Sequence, residues 1–414
     1  MAKEKIVGII AEYNPFHNGH LYHMKRSLET TGAAAAVIVL SSSFVQRGEP
    51  AFIDKWSRAE MAISCGASLA IELPVAFSCH NAGVFGSAAV DLLFSSGIVT
   101  HVSFGMENPE APLEEIADIL IREPDDFRAV LRDHLDLGFS YAQSRSNAIE
   151  ASIPGAGRLI SSPNNTLAQE YVLRIREMEY PLETAPVKRI GEGYHGGASG
   201  GTASASWIRD TVRREGLSRQ AREVMPSVAA EILEREISRG RCLMSLDVFW
   251  RILRTVILRD GSTRLSRHAE MREGIENLLL SNALRARSFD EFTRLCTSRR
   301  YPRSKIQRFA SHVLMGFDHR SNRKAQRLGP PYIRVLGWDQ KGQDLLRQMR
   351  TASRLPVIFC PKGRKGSYQR MVADLEYRAS GIWENLVPST DMLKESGALP
   401  VRPGENPAPG ETSL

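Results

Sequence analysis

The chain has 414 residues, 42% of them hydrophobic and 24% charged, a globular composition with enough apolar side chain for more than one core. No apolar run approaches the ~20 residues of a membrane-spanning helix, and the short patch at 6–10 runs into Glu12, so neither a span nor a secretory leader is expected and a cytoplasmic location is the default. The formal charge is +7, but residues 207–330 hold 26 Lys and Arg against 14 Asp and Glu while the rest of the chain is net acidic, which suits a polyanion partner or, equally, a set of solvated helix faces. The five cysteines (Cys65, Cys79, Cys242, Cys296 and Cys360) are scattered and form no CxxC pair, so reduced thiols are expected rather than disulfides or a zinc knuckle.

Strand and helix signals alternate through the first two hundred residues. A β-branched run predicts a strand at 6–10, followed by a helix at 19–30 and a second strand at 35–40. A helix at 54–65 has Asp54 as its cap, and a third strand at 69–73 is closed by Pro74. A small-residue helix at 82–94, a strand at 98–104, a helix at 167–178 and a strand at 185–190 complete this part. Near-continuous apolar strands separated by helices predict an α/β fold with a parallel sheet covered on both faces, whose ligands bind outside the carboxyl ends of the strands. From 206 to about 318 the pattern turns helical. A strand–helix–strand unit at 332–336, 343–350 and 355–360 suggests a small lobe, and the Pro- and Gly-rich tail is expected to be disordered. The expected divisions are 1–205, 206–330, 331–398 and 399–414.

The chemistry concentrates just after the first strand, in the run AEYNPFHNGHLYHM, where His17, Asn18, Gly19 and His20 form an HxGH pattern opening a helix. A helix start offers free N–H groups and a positive dipole end to phosphates, and two imidazoles on its first turn can donate to phosphate oxygens as pyrophosphate departs. Gly19 would let a base lie close to the backbone. The same histidines could be structural turn residues or a metal pair, but helical metal pairs usually sit four apart and bring a carboxylate, so no metal site is expected. After the second strand, FVQRGEPAFIDKWSRAEMA brings Gln46, Arg47 and Lys55 as phosphate or substrate contacts, or forms an ordinary solvated loop. Gly105 ends the fourth strand, Asn165 sits at a helix start where plain capping is an equal reading, and Arg189 with Ile190 ends a later strand. Ser204 and Arg209 would make a second phosphate clamp. In the basic block, Arg299, Arg300, Arg303, Lys305 and Arg308 surround Tyr301, an arrangement suited to RNA backbone and a stacked base, though a solvated helix would carry the same charge.

Taken in order along the chain, VGIIAEYNPFHNGHLYH, FVQRGEPAFIDKWSRAEMA, SFGMEN, SPNN, KRIGEGYH, ASASWIR, RRYPRSKIQR and YIRVLGW resemble the bacterial tRNA(Met) cytidine acetate ligase family. The resemblance implies a Rossmann-like nucleotidyltransferase domain with a parallel sheet, followed by a basic helical tRNA-binding region and a small C-terminal α/β lobe. It implies ATP with Mg²⁺ carried on the nucleotide, acetate, and the wobble cytidine of elongator methionine tRNA as substrates, with N4-acetylcytidine formed through acetyl-adenylate. By the same resemblance Val7, Gly8, Ile9, Ile10, Ala11, Glu12, Tyr13, Asn14, Pro15, Phe16, His17, Asn18, Gly19 and His20 would bind ATP, with Gly105, Asn165, Arg189 and Ile190 adding contacts; on the residue reading Ser204 would join them at the departing pyrophosphate. His17, His20 and Arg209 would carry the adenylation chemistry. The sequence departs from the family at Ser42-Ser43, where Gly-Asn is common, and at the bulky Trp207. Two other classes share features with this chain: a small-molecule nucleotidyltransferase of the HxGH type, and a non-catalytic RNA-binding protein with a relict nucleotide site.

Overall fold

The apolar runs become strands because both of their faces are covered. β2 (Ala35–Ser41) and β3 (Leu69–Leu73) are buried at every position. Beside them lie β1 (Ile6–Ala11), β4 (His101–Met106) and β5 (Glu183–Lys188), all parallel. β6 (Ile333–Trp338) and the two-residue β7 (Val357–Ile358) complete a seven-stranded sheet in the order β5-β4-β1-β2-β3-β6-β7. The computed structural model describes residues 4–190, 201–361 and 366–403.

The strand order reverses between β1 and β4, and the crevice at such a reversal is where open α/β sheets take ligands. The helix Ala82–Ser95 lies so close to β1 that a Cβ on Gly8 would meet Leu93 Cδ2 at 2.6 Å, which accounts for the small residues on both elements. Helices also fill the stretch between β4 and β5, at Leu113–Arg122, Asp125–Asp136 and Tyr141–Ser152. The expected helical block is present from Ala205–Glu215 to His319–Leu328. No helix among the described residues is long and apolar enough to cross a membrane.

The C-terminal unit forms as a strand, a helix (Gln340–Ala352) and a short strand, but it is not a separate lobe. β6 pairs antiparallel with β3, from Leu69 opposite Trp338 to Glu72 opposite Arg334, so the end of the chain widens the N-terminal sheet. One contiguous apolar cluster runs from Ile6 to Leu386 through the first three expected divisions. The beginning of the expected disordered tail is also ordered: Trp338 N donates to Val401 O at 3.0 Å and Val401 N to Leu336 O at 2.8 Å. Residues 404–414 lie outside the described residues.

A buried charge cluster fastens the two ends together. Lys55, fully buried on the helix Lys55–Ser64, pairs with Glu72, with Glu376 at 2.9 Å and with Glu395 at 2.9 Å. Arg334 on β6 pairs with Glu72 at 3.2 Å and also with Glu395. Ser42 donates to Glu376, and Val75 N donates to its second oxygen at 2.7 Å. Three carboxylates this close resemble a cation site, but the two protein cations already fill it.

Candidate functional site

The turn from β1 into the helix Asn18–Thr31 sets the geometry of the site. His17 caps that helix: its Nδ1 accepts from Gly19 N at 3.1 Å. His20 Nδ1 accepts in turn from His17 N at 3.3 Å. With both Nδ1 atoms acting as acceptors, the proton of each neutral ring must sit on Nε2, so the rings present two N–H donors. The rings stack at 3.6 Å between centroids. Burial first, and then the charge of Arg189, pushes His17 down to about 3; burial, His17 and Arg189 hold His20 well below its ordinary value. Both are therefore neutral at physiological pH.

The neighbouring residues hold this pair in place. Tyr13, at φ 46°, packs edge-on against Phe16 at 4.7 Å and tilted against His20 at 4.8 Å. The Asn14–Pro15 peptide is cis, and Asn14 Oδ1 accepts from Phe52 N at 2.7 Å. A Cβ on Gly19 would lie 3.0 Å from His17 Cε1, so the glycine makes room for the capping ring. Asn18 turns away: its N donates to Val224 O at 3.0 Å, and its Nδ2 to Gly201 O at 2.8 Å and Glu223 O at 3.1 Å. Val7, Gly8 and Ile9 lie within the sheet, paired with both β2 and β4, while Ile10 and Ala11 are half-buried at the strand end.

Two arginines adjoin this turn, Arg189, whose charge acts on both histidines, and Arg209, which binds the backbone of Asn14. Arg209 on the helix Ala205–Glu215 donates from Nη1 to Asn14 O at 2.8 Å and from Nη2 to Ser206 Oγ at 3.3 Å, and lies 3.7 Å from Glu49. Ser204 caps the same helix by accepting from Trp207 N at 3.2 Å. Arg189 lies along Gly105, where a Cβ would meet its Cγ at 3.2 Å, and is 3.8 Å from Glu107. Ile190 is exposed beside it, at the edge of the described residues. In the loop after β2, Gln46 N donates to Glu12 Oε1 at 2.9 Å and Gln46 Nε2 to His80 O at 3.0 Å; Arg47 is exposed on the same turn.

Two expected contacts are placed elsewhere. Lys55 is sealed among carboxylates rather than presented to a ligand, because Glu72, Glu376 and Glu395 compensate its charge inside the core. Asn165 is fully buried and its amide is engaged by the backbone: Oδ1 accepts from Glu107 N at 3.0 Å and Nδ2 donates to Leu159 O. It shapes the end of β4. Glu107, which the sequence reading passed over, is itself held by Ser162 Oγ at 2.6 Å and Asn164 Nδ2 at 2.6 Å. The available signal was a carboxylate one residue past a strand end, followed later by a polar helix start.

The basic segment is only partly a surface. Arg300 pairs with Glu273 at 2.6 Å and Arg303 with Asp290 at 2.7 Å, both half-exposed, and the Arg299 guanidinium lies 3.3 Å from the Phe139 ring centroid. Lys305 Nζ lies 4.8 Å from the Tyr301 ring centroid. Tyr301 is half-buried, its hydroxyl donating to Glu273 at 3.0 Å. Arg308 is buried rather than surface-facing: its Nε is 3.5 Å from Glu270, and its backbone lies under the β2 loop, where a Cβ on Gly48 would come within 2.3 Å of Arg308 N. The helix Arg303–Met315 thus begins at the surface and ends as a support for that loop.

Residues 4–396 match the profile of the family described as HIGH Nucleotidyl Transferase. The chain is 36% identical over 364 residues to the tRNA(Met) cytidine acetate ligase of Acetivibrio thermocellus, covering 86% of this chain and 88% of that one. It is 31% identical over 411 residues to the protein of the same name from Clostridium perfringens, covering 96% and 99%. Among solved structures, that of Thermotoga maritima TmcAL bound with alpha-thio ATP superposes with a TM-score of 0.89 at 29% identity, over 96% of this chain and 99% of that one.

Proposed function

Because this chain belongs to the tRNA(Met) cytidine acetate ligase family, within the HIGH nucleotidyl transferases, we propose that it joins acetate to a tRNA cytosine at the cost of ATP, acting in the cytoplasm. In the first step an acetate oxygen attacks the α-phosphorus of ATP and pyrophosphate leaves. Charge then grows on phosphate oxygens, and preorganised donors stabilise it without reorganising. The two Nε2–H groups of His17 and His20, carried at the positive end of the helix Asn18–Thr31, are such donors. Arg189, whose charge acts on the histidines, and Arg209, fixed on the Asn14 carbonyl, supply positive charge. Mg²⁺ would travel with the triphosphate.

In the second step the exocyclic amine of the wobble cytidine of elongator tRNA(Met) attacks the acetyl carbonyl, giving N4-acetylcytidine and AMP. The base must leave its stack to reach the site. Arg299, Arg300, Arg303 and Lys305 are proposed to track the RNA backbone, with Arg308 acting from behind as a support.

The observation that carries this reading is the stacked histidine pair at the sheet's reversal point, each Nδ1 accepting from a backbone N–H so that Nε2 is left as the donor. The test is acetylation of purified tRNA with ATP and labelled acetate, with acetyl-CoA in place of both as a control. Label in methionine tRNA that requires ATP and acetate supports the ligase. ATP turnover with a small-molecule acceptor and no label in RNA would replace it with a small-molecule nucleotidyltransferase.

A further inference from the structure

Glu12 puts a carboxylate into a site otherwise built for anions. It lies one residue past β1 and five before His17, half-buried under the loop after β2. Oε1 is fixed by Gln46 N at 2.9 Å. Among the described residues Oε2 has no hydrogen bond or ion pair, and it is not sealed from solvent. The charged groups around it come from every side: Arg58 from the helix Lys55–Ser64, Arg47 from the loop, and Arg209 from the helix Ala205–Glu215. Tyr171 and Cys79 feel its charge from farther elements. Arg58 is engaged by carbonyls of Glu12, Ser42 and Ile53, and Arg209 by that of Asn14. Burial is the largest influence on the carboxyl and raises it above its ordinary value against the opposing pull of the Gln46 N–H and the three arginines.

An oriented acceptor with one open oxygen needs a donor. The triphosphate and acetate have none; the ribose hydroxyls and adenine amine of ATP do, and so does the cytosine amine, whose two hydrogens are of the kind a Glu carboxylate reads and which alone must lose a proton in the reaction. We propose that Glu12 Oε2 takes the proton from cytosine N4 as the acetyl group is transferred, a role that rests on the ligase reading above. The N4 lone pair forms the C–N bond to the acetyl carbon, and the bond from that carbon to the adenylate oxygen breaks. AMP leaves with the electron pair, and the N4 proton passes to Glu12 Oε2 and then to solvent. The amine is a poor nucleophile, and its nitrogen becomes strongly acidic only as the new bond forms, which is the moment a positioned base helps.

The test bypasses adenylation by giving the full-length protein chemically prepared acetyl-adenylate and methionine tRNA, and measuring single-turnover transfer from about pH 5 to about pH 9. Wild type should speed up as pH rises through a raised carboxyl value. E12Q should be slower by about 100-fold or more and lose that rise. E12D, which keeps the carboxylate on a shorter arm, should keep the pH dependence at a reduced rate, and melting curves establish that both variants fold. E12Q within about threefold of wild type, or with the same pH profile, overturns the assignment. So does an effect confined to KM for ATP in the full reaction, which would make Glu12 a contact to the ribose or adenine. Wild-type protein that makes no acetylcytidine from acetyl-adenylate would sink the ligase reading itself, and this role with it.

Discussion

Replacing His20 by Ala removes three things at once: an Nε2–H donor, the acceptor for His17 N, and one ring of the stack. If the donor acts mainly on the transition state, its loss should lower adenylation by about 10²–10³-fold, or about 3–4 kcal/mol. Orphaning the His17 N–H should cost about 1–3 kcal/mol of stability, a smaller effect that a urea titration can separate. The protonation state sharpens the expectation. With His17 at about 3, roughly one ring in 10⁴ is charged at neutral pH, and His20 also lies well below its ordinary value. The pair therefore works as neutral donors, and the ratio of wild-type to H20A rates should be the same at about pH 6 and about pH 8. Acetate-dependent exchange of labelled pyrophosphate into ATP measures this. A loss under about tenfold, or a wild-type rate that climbs on acidification through about 6.5, would refute the neutral-donor account.

Lys55→Met should destabilise the protein by about 3–5 kcal/mol, because it leaves three buried carboxylates facing Arg334 alone; an unfolding midpoint within error of wild type would contradict this. Glu376 is raised, by burial first and then by the charge of Glu72, so its protonated form favours folding. Its contribution is complete below about 4.5 and is lost as pH rises through about 7, and relative to E376Q the wild-type melting temperature should fall across that window. Ala at Gly48 (φ 90°) would place a Cβ 2.3 Å from Arg308 N and should shift the Gln46 loop, lowering both melting temperature and adenylation rate; unchanged values for both would count against the loop's supporting role. Removing Arg299, Arg300 or Arg303 should weaken tRNA binding and reduce the salt slope by roughly one per residue, as a filter-binding salt series would show.

Local features were legible in the sequence. The HxGH turn, its strand and its helix are determined by residues within about one helical turn of each other, so spacing alone located them. Lys55 and Arg308 misled because a charge in sequence suggests solvent, whereas their compensation comes from across the chain: Glu376 and Glu395 for the first, and Glu270 with the underside of the β2 loop for the second. The pairing of β6 with β3 was likewise hidden, since a strand–helix–strand pattern reads the same whether it stands alone or joins another sheet. Asn165 shows the limit at a helix start, where a buried amide bound to backbone and one offered to a ligand have the same sequence appearance. The helices Leu113–Arg122, Asp125–Asp136 and Tyr141–Ser152 went unread because they carry many polar residues and bury only a few apolar ones each.

The shared sheet also bears on how the chain is made. Lys55 meets Glu395 across 340 residues of sequence, and β3 remains an open edge until β6 has been synthesised. At roughly 5–20 residues per second, the stretch between β3 and β6 takes roughly 13–52 s to make, during which β3 is unpaired on that side and Lys55 has only Glu72 of its three carboxylate partners. Such an edge invites pairing with other chains. Truncated products of this gene should therefore be clients of chaperones and prone to aggregation, and the nucleotide site should become functional only once the last elements have left the ribosomal tunnel.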